Sequence, residues 1–107
     1  MARRRMMDET TEAQILAWLL GDRVRWSRKA RWFIWDGAEW ARDPSGSRAT
    51  WLASELLAGY YLGQATRDPA LRQYWLRHAL RAEGYRHIRA VLNRARQFLM
   101  SLPEEDS

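Results

Sequence analysis

Arg86, Arg89, Asn93, Arg96 and Gln97 recur near the end of the chain at helical spacing. At 100° per residue they fall within about one third of a helix's circumference, opposite a stripe of Ile88, Val91, Leu92 and Leu99. A guanidinium offers a rigid fork of donors that matches two phosphate oxygens and also lies flat on a base. Acidic residues three or four positions away are scarce in this helix, so its positive field is not cancelled locally. Arg77 and Arg81, four apart in the preceding helix, add to it. Arg23, Arg25, Arg28, Lys29 and Arg31 form a second basic group. The chemistry that these types and spacings can perform is contact with a phosphate backbone, without readout of base sequence. The bland alternative is a solvated face, the ordinary fate of a charge run.

Composition points the same way and excludes several other classes. The 107 residues carry a formal charge of +5 with a pI near 10.4, which suits a polyanionic partner such as single-stranded or template DNA. All the basic residues but Lys29 are arginine. Cysteine is absent, which removes disulfides, thiolate metal sites and cysteine nucleophiles together and suits a cytoplasmic location. His78 and His87 stand in different helices and do not make a converging set of three or four metal ligands, so no metal is expected. No nucleophile is flanked by a recognisable base, and Glu104 and Glu105 sit in a terminal tail, so neither catalysis nor a cofactor is expected. The basic start is followed by Asp8, Glu9 and Glu12, and the apolar stretch from Ile15 to Leu20 is too short for a secretion signal. Nothing approaches the roughly 20 apolar residues of a membrane span.

The elements that must position the arginines follow from periodicity. Residues 1–9, with three consecutive arginines and no apolar pattern, read as a mobile basic tail. A helix is predicted from about Thr11 to Leu20, capped by Thr10 or Thr11 and stopped at Gly21, with Trp18 helping to fill the core. Between residues 22 and 43 the spacing changes to two, through Val24 and Trp26, then Trp32 and Ile34, and later Trp40. Asp36-Gly37 supplies a tight hairpin turn between strands at Arg31–Asp36 and Ala38–Arg42, with a third short strand at Asp22–Ser27. Ser47 or Thr50 can cap a central helix running to about Gly63, rich in Trp51, Leu52, Leu56, Leu57, Tyr60 and Tyr61. Asp68-Pro69 opens a further helix that reaches about Glu83, where Gly84 breaks it. The last helix runs from about Tyr85 to Ser101, its apolar stripe reaching Leu102. The expected fold is α+β and mostly helical: a small antiparallel β-hairpin region at about 22–43 packed on a bundle of about four helices. It forms one domain over 10–103, with an acidic tail at 104–107.

The hairpin aromatics Trp32, Trp35 and Trp40 can be core under the sheet or a platform on which bases stack. Aromatic rings at strand spacing are ordinarily packing residues. Alternation puts Trp32 and Ile34 on one face and Phe33 and Trp35 on the other, so one face meets the helices.

These residues also carry a resemblance. Gly21-Asp22-Arg23-Val24-Arg25-Trp26, followed by Trp32-Phe33-Ile34-Trp35-Asp36-Gly37-Ala38-Glu39-Trp40-Ala41-Arg42-Asp43, is similar to the opening signature of the phage/plasmid primase N-terminal family. In that family a short strand of the form G-D-x-h-R precedes a hairpin of the form W-x-x-[WY]-D-G-x-x-W-x-x-D and a helical bundle. Trp32, Trp35, Asp36, Gly37, Trp40 and Asp43 are the residues that match, and the later helices match by order and length. The resemblance implies an accessory domain between a primase or primase-polymerase and a superfamily-three helicase, helping to hold template strand or initiating nucleotide. It implies primase and helicase domains as partners, in cis or in trans. The phosphate-cradling G-x-x-x-x-G-K-[ST] loop of a helicase is absent, so the expectation is an excised domain or a stand-alone relative without helicase activity.

Two functions are therefore expected from the sequence. The first is template binding, with Arg25, Arg31, Arg77, Arg81, Arg86, Arg89, Asn93 and Arg96 on the nucleic acid. The second is a protein-interaction or oligomerisation module that positions the primase and helicase parts through exposed aromatics.

Overall fold

The computed structural model describes residues 8–99, so the first seven positions of the basic tail, the acidic tail at 104–107 and Leu102 lie outside the described residues. The first helix, α1, spans Glu9–Leu20 and starts earlier than the threonines suggest. Asp8 is its cap, with Oδ1 accepting from the Thr11 amide at 2.8 Å. Leu16 and Leu20 are fully buried, whereas Trp18 is 73% exposed and does not fill the core. The reason is angular: at 100° per residue Trp18 lies about 160° around the helix from both leucines.

Three antiparallel strands follow in the order β1-β2-β3, at Val24–Ser27, Arg31–Trp35 and Trp40–Asp43. Trp35 pairs with Trp40, so the hairpin connection is four residues, 36–39, rather than the two-residue turn expected. Asp36 still organises it. Its Oδ1 accepts from the amides of Glu39 (2.9 Å) and Ala38 (2.8 Å), and these bonds hold its carboxyl below the usual carboxylate range. Gly37 supplies the positive φ, at 105°. The β1–β2 connection is tighter. Ser27 pairs with Arg31, the Ser27 hydroxyl accepts from the Ala30 amide, and Arg31 adopts φ 71°, a left-handed conformation that costs a side chain.

Helix α2 spans Ser47–Arg67 and runs through Gly63 without a break. Neither Ser47 nor Thr50 caps it. Asp43, the last residue of β3, reaches across the Pro44–Gly46 turn, and its buried Oδ2 accepts from the Ala49 amide at 2.8 Å. The sheet thus ends and the helix begins on one carboxylate. Pro69–Leu71 forms a single 3₁₀ turn before α3 at Arg72–Ala82, and the Asp68 side chain, instead of capping, accepts from the Trp75 indole at 3.1 Å. Helix α4 spans Tyr85–Ala95 and tightens into a 3₁₀ turn at Arg96–Phe98, so the regular helix ends sooner than its apolar stripe predicts.

The core lies where α1, α2, α3 and α4 meet, around Leu16, Leu20, Leu57, Tyr61, Ile88 and Leu92, with Val24, Trp32 and Ile34 closing it from the sheet. Trp32 and Ile34 are the strand face that meets the helices, at 3% and 7% exposure. Trp51, on a helix expected to be central, is instead 72% exposed.

Candidate nucleic-acid interface

The outward face of the sheet is set by register. Arg25 pairs with Phe33 and Phe33 with Arg42, while Trp35 pairs with Trp40, and directly paired residues share a face. This face therefore interleaves arginine with aromatic rings. The Arg25 guanidinium lies 4.8 Å from the centre of the Trp40 ring, which in turn meets Trp35 edge to face at 5.4 Å. Such a contact orients a cation by the ring's quadrupole without neutralising it. Asp22 stands 4.0 Å from Arg25 Nη2, the outer limit of an ion pair, and Arg25 Nη1 is buried with no protein acceptor.

The next residue along β1 points the other way. Trp26 packs edge to face on Trp32 at 6.3 Å and carries the Arg96 guanidinium 4.1 Å above its ring. Trp26, Asn93, Arg94, Arg96, Gln97 and Leu99 line a groove of about 380 Å³ between β1 and the end of α4. Asn93 and Arg96, placed on one helix face by their spacing, are thus brought together beside an indole that the basic stripe alone did not reveal. Trp26 Nε1 is a second buried donor with no protein acceptor.

The other candidates separate. Arg89 turns inward: its Nη1 donates to the Ser45 carbonyl at 2.9 Å and to the Thr50 hydroxyl at 3.2 Å, tying α4 to the start of α2. That nitrogen serves the fold. Arg86 and Arg77 are exposed on their own helices, and Arg31 is exposed at the β1–β2 turn. Arg81 Nη2 approaches His87 Nδ1 at 3.5 Å. Arg77, Arg86 and Arg96 make no ion pair among the described residues, so their charge is available to a partner.

His87 belongs to a buried polar cluster that the sequence did not disclose. Its Nε2 lies 3.0 Å from Glu12 Oε1, and the Tyr61 hydroxyl donates to Glu12 Oε2 at 2.6 Å. Burial, then the hydrogen bond and charge of Glu12, push the Tyr61 phenol well above its ordinary value. The cluster joins α1, α2 and α4. Among the described residues no group of three His, Cys, Asp or Glu side chains could hold a metal ion, and no helix is long and apolar enough to cross a membrane.

Comparison with curated proteins and with solved structures finds no match. A family model described as "D5 N terminal like" matches residues 13–107, nearly the whole chain, including every strand, the Trp-Asp-Gly hairpin and all but the first turn of the helical bundle. A hairpin that keeps its three tryptophans and its aspartates in register, followed by the helices in the expected order, identifies the chain as a member of the D5 N-terminal-like family, the N-terminal domain family of phage and plasmid primase-helicases.

Proposed function

We propose that this domain is a non-catalytic nucleic-acid-binding part of a DNA-replication primase-helicase, contacting the phosphates of the template strand. The observation that carries the reading is Arg96 held 4.1 Å over the Trp26 ring beside Asn93, lining a groove and with no carboxylate partner among the described residues. A guanidinium oriented by an aromatic ring loses less side-chain entropy when it meets a phosphate, and the ring leaves its donors unused. Arg86 and Arg77 extend the positive field along exposed helix surface, and Arg25 over Trp40 supplies a second oriented cation on the sheet. Residues 10–103 are proposed as a single domain, and primase and helicase domains as its partners.

The test is a titration of labelled single-stranded DNA at several salt concentrations, with parent and an Arg86→Ala/Arg96→Ala double variant. Arg89 is left in place because it ties α4 to α2. The variant weakens binding at every sequence, and each lost contact flattens the slope of log affinity against log salt by about 0.7. An unchanged affinity and slope would overturn the reading.

A second reading, a module that positions neighbouring domains by protein contact, is favoured by one observation. Trp51, Leu62 and Tyr85 are exposed around an apolar groove of about 540 Å³ between α2 and α4. Concentration-dependent association of the isolated domain, abolished by Tyr85→Ala, supports that reading.

A further inference from the structure

A second groove, of about 490 Å³, lies between the first turns of α2 and the hairpin end of the sheet. Arg48, Trp51, Leu52 and Glu55 form one wall, and their i, i+3, i+4, i+7 spacing places them on a single helix face. The other wall comes from Arg23, Ile34, Trp35 and Gly37. Two features distinguish it from an ordinary surface cleft. Trp35 and Trp51 are both exposed, at 41% and 72%, although large apolar side chains are normally drawn into the core. Each wall also contributes an arginine, neither of which forms an ion pair among the described residues.

The register of the sheet and the buried stripe of α2 hold both rings at the surface. Trp35 could pack inward only by reversing the strand, because Ile34 already occupies the inner face. Trp51 stands clear of the buried stripe of Ala49, Ala53 and Leu57 on its own helix. Gly37 borders the space at one end, where an added Cβ would find no atom within 4 Å. The Asp36 carboxylate beside it takes hydrogen bonds from the Ala38 and Glu39 amides and forms no ion pair with either arginine among the described residues, although the Arg48 charge acts on it.

We infer that this groove stacks a base of a single-stranded nucleic acid on Trp51 and Trp35, with Arg23 and Arg48 on the flanking phosphates. The inference rests on the nucleic-acid-binding reading above and assigns it a site that the α4 arginines do not include. Aromatic faces accept any base, and arginines at either wall accept the backbone on either side, which is the combination that sequence-tolerant single-strand binding uses. Glu55 adds one acceptor for the amino edge of a base. A peptide partner without carboxylates would fill the apolar floor but leave both guanidinium groups unpaired.

Two labelled probes test it on the full chain: a mixed-sequence single-stranded oligodeoxynucleotide, and a strand of the same length whose central positions are abasic. The parent prefers the intact strand. Trp51→Ala, at an exposed position that leaves the fold intact, weakens binding of the intact strand about fivefold or more and erases the preference over the abasic strand. Trp51→Phe restores most of the loss. Arg86→Ala/Arg96→Ala weakens both strands alike and keeps the preference. If Trp51→Ala binds like the parent while the arginine variant is weakened, the stacking site is overturned and phosphate binding stands. If the parent binds neither strand at low salt, both readings fall. Self-association of the parent that Trp51→Ala abolishes, without strand binding, overturns them in favour of protein docking.

Discussion

Glu12 and His87, 75 positions apart in sequence, meet at 3.0 Å inside the helical bundle, with Tyr61 bonded to the other oxygen of the same carboxylate. One carboxylate therefore joins α1, α2 and α4. Arg81 lies on the far side of the imidazole, at Nδ1, and an arginine can only donate.

Removing the hub leaves the buried Tyr61 hydroxyl and the partly buried His87 imidazole without their shared partner. Glu12→Ala is expected to destabilise the domain by about 2–4 kcal/mol, since each stranded polar group costs about 1–3 kcal/mol. Glu12→Gln, which keeps an acceptor for Tyr61, is expected to cost less. Chemical denaturation of the two variants beside the parent measures both.

Alkaline pH reads the same cluster from the other side. The Tyr61 phenol is held protonated in the folded state well above its ordinary value of 10.0. The unfolded chain ionises it from about pH 10 upward. The folded state binds the extra proton there, so stability is complete below the unfolded value and falls as pH rises past it. Tyr61→Phe is expected to flatten that alkaline decline while lowering stability at neutral pH through loss of the bond to Glu12. Melting temperatures between pH 8 and pH 11 check the difference in slope.

Gly46 is expected to tolerate no side chain. Its φ is 78°, and an added Cβ would come within 2.8 Å of Trp32 Cδ1 and 2.9 Å of Arg89 Nη1. Left-handed strain and displacement of two packed side chains together cost about 2 kcal/mol or more for Gly46→Ala. Arg89→Ala leaves this turn's backbone intact but unties it from α4, and a smaller loss of about 1–2 kcal/mol follows. Equilibrium unfolding of the two variants ranks them.

Arg31 holds a conformation that glycine adopts freely. Arg31→Gly is therefore expected to stabilise the domain by about 1 kcal/mol. If the exposed guanidinium touches phosphate, the same variant binds single-stranded DNA more weakly, so thermal stability and affinity move in opposite directions. Paired melting and titration experiments measure both.

Much of the architecture was legible because it depends on spacing within single elements. Alternation at Trp32 to Trp35 gave the sheet and its two faces, though not which of them meets the helices, and Ile88, Val91 and Leu92 gave the buried side of α4. The errors share one origin. Trp18, expected to help fill the core, and Trp51, on the helix expected to be central, are large and apolar, yet neither lies on its helix's buried stripe. The caps were assigned to nearby serine, threonine and aspartate, but α2 is capped by Asp43 from the preceding strand and Asp68 serves Trp75. Spacing alone places Arg86 and Asn93 on the exposed side of α4. That Arg89 bonds Ser45 and Thr50 while Arg96 lies on Trp26 depends on which element packs where, and no local period records it.

The link from Arg89 to the Ser45 carbonyl, spanning 44 positions, couples the α4 helix to the turn that follows the sheet. Charges on α4 and on the sheet therefore keep a fixed separation instead of diffusing independently. A polyanion anchored at one of them presents its next segment to the other at high effective concentration. Affinity for such a chain rises steeply once it is long enough to reach both, and two short fragments at the same total concentration do not reproduce the gain.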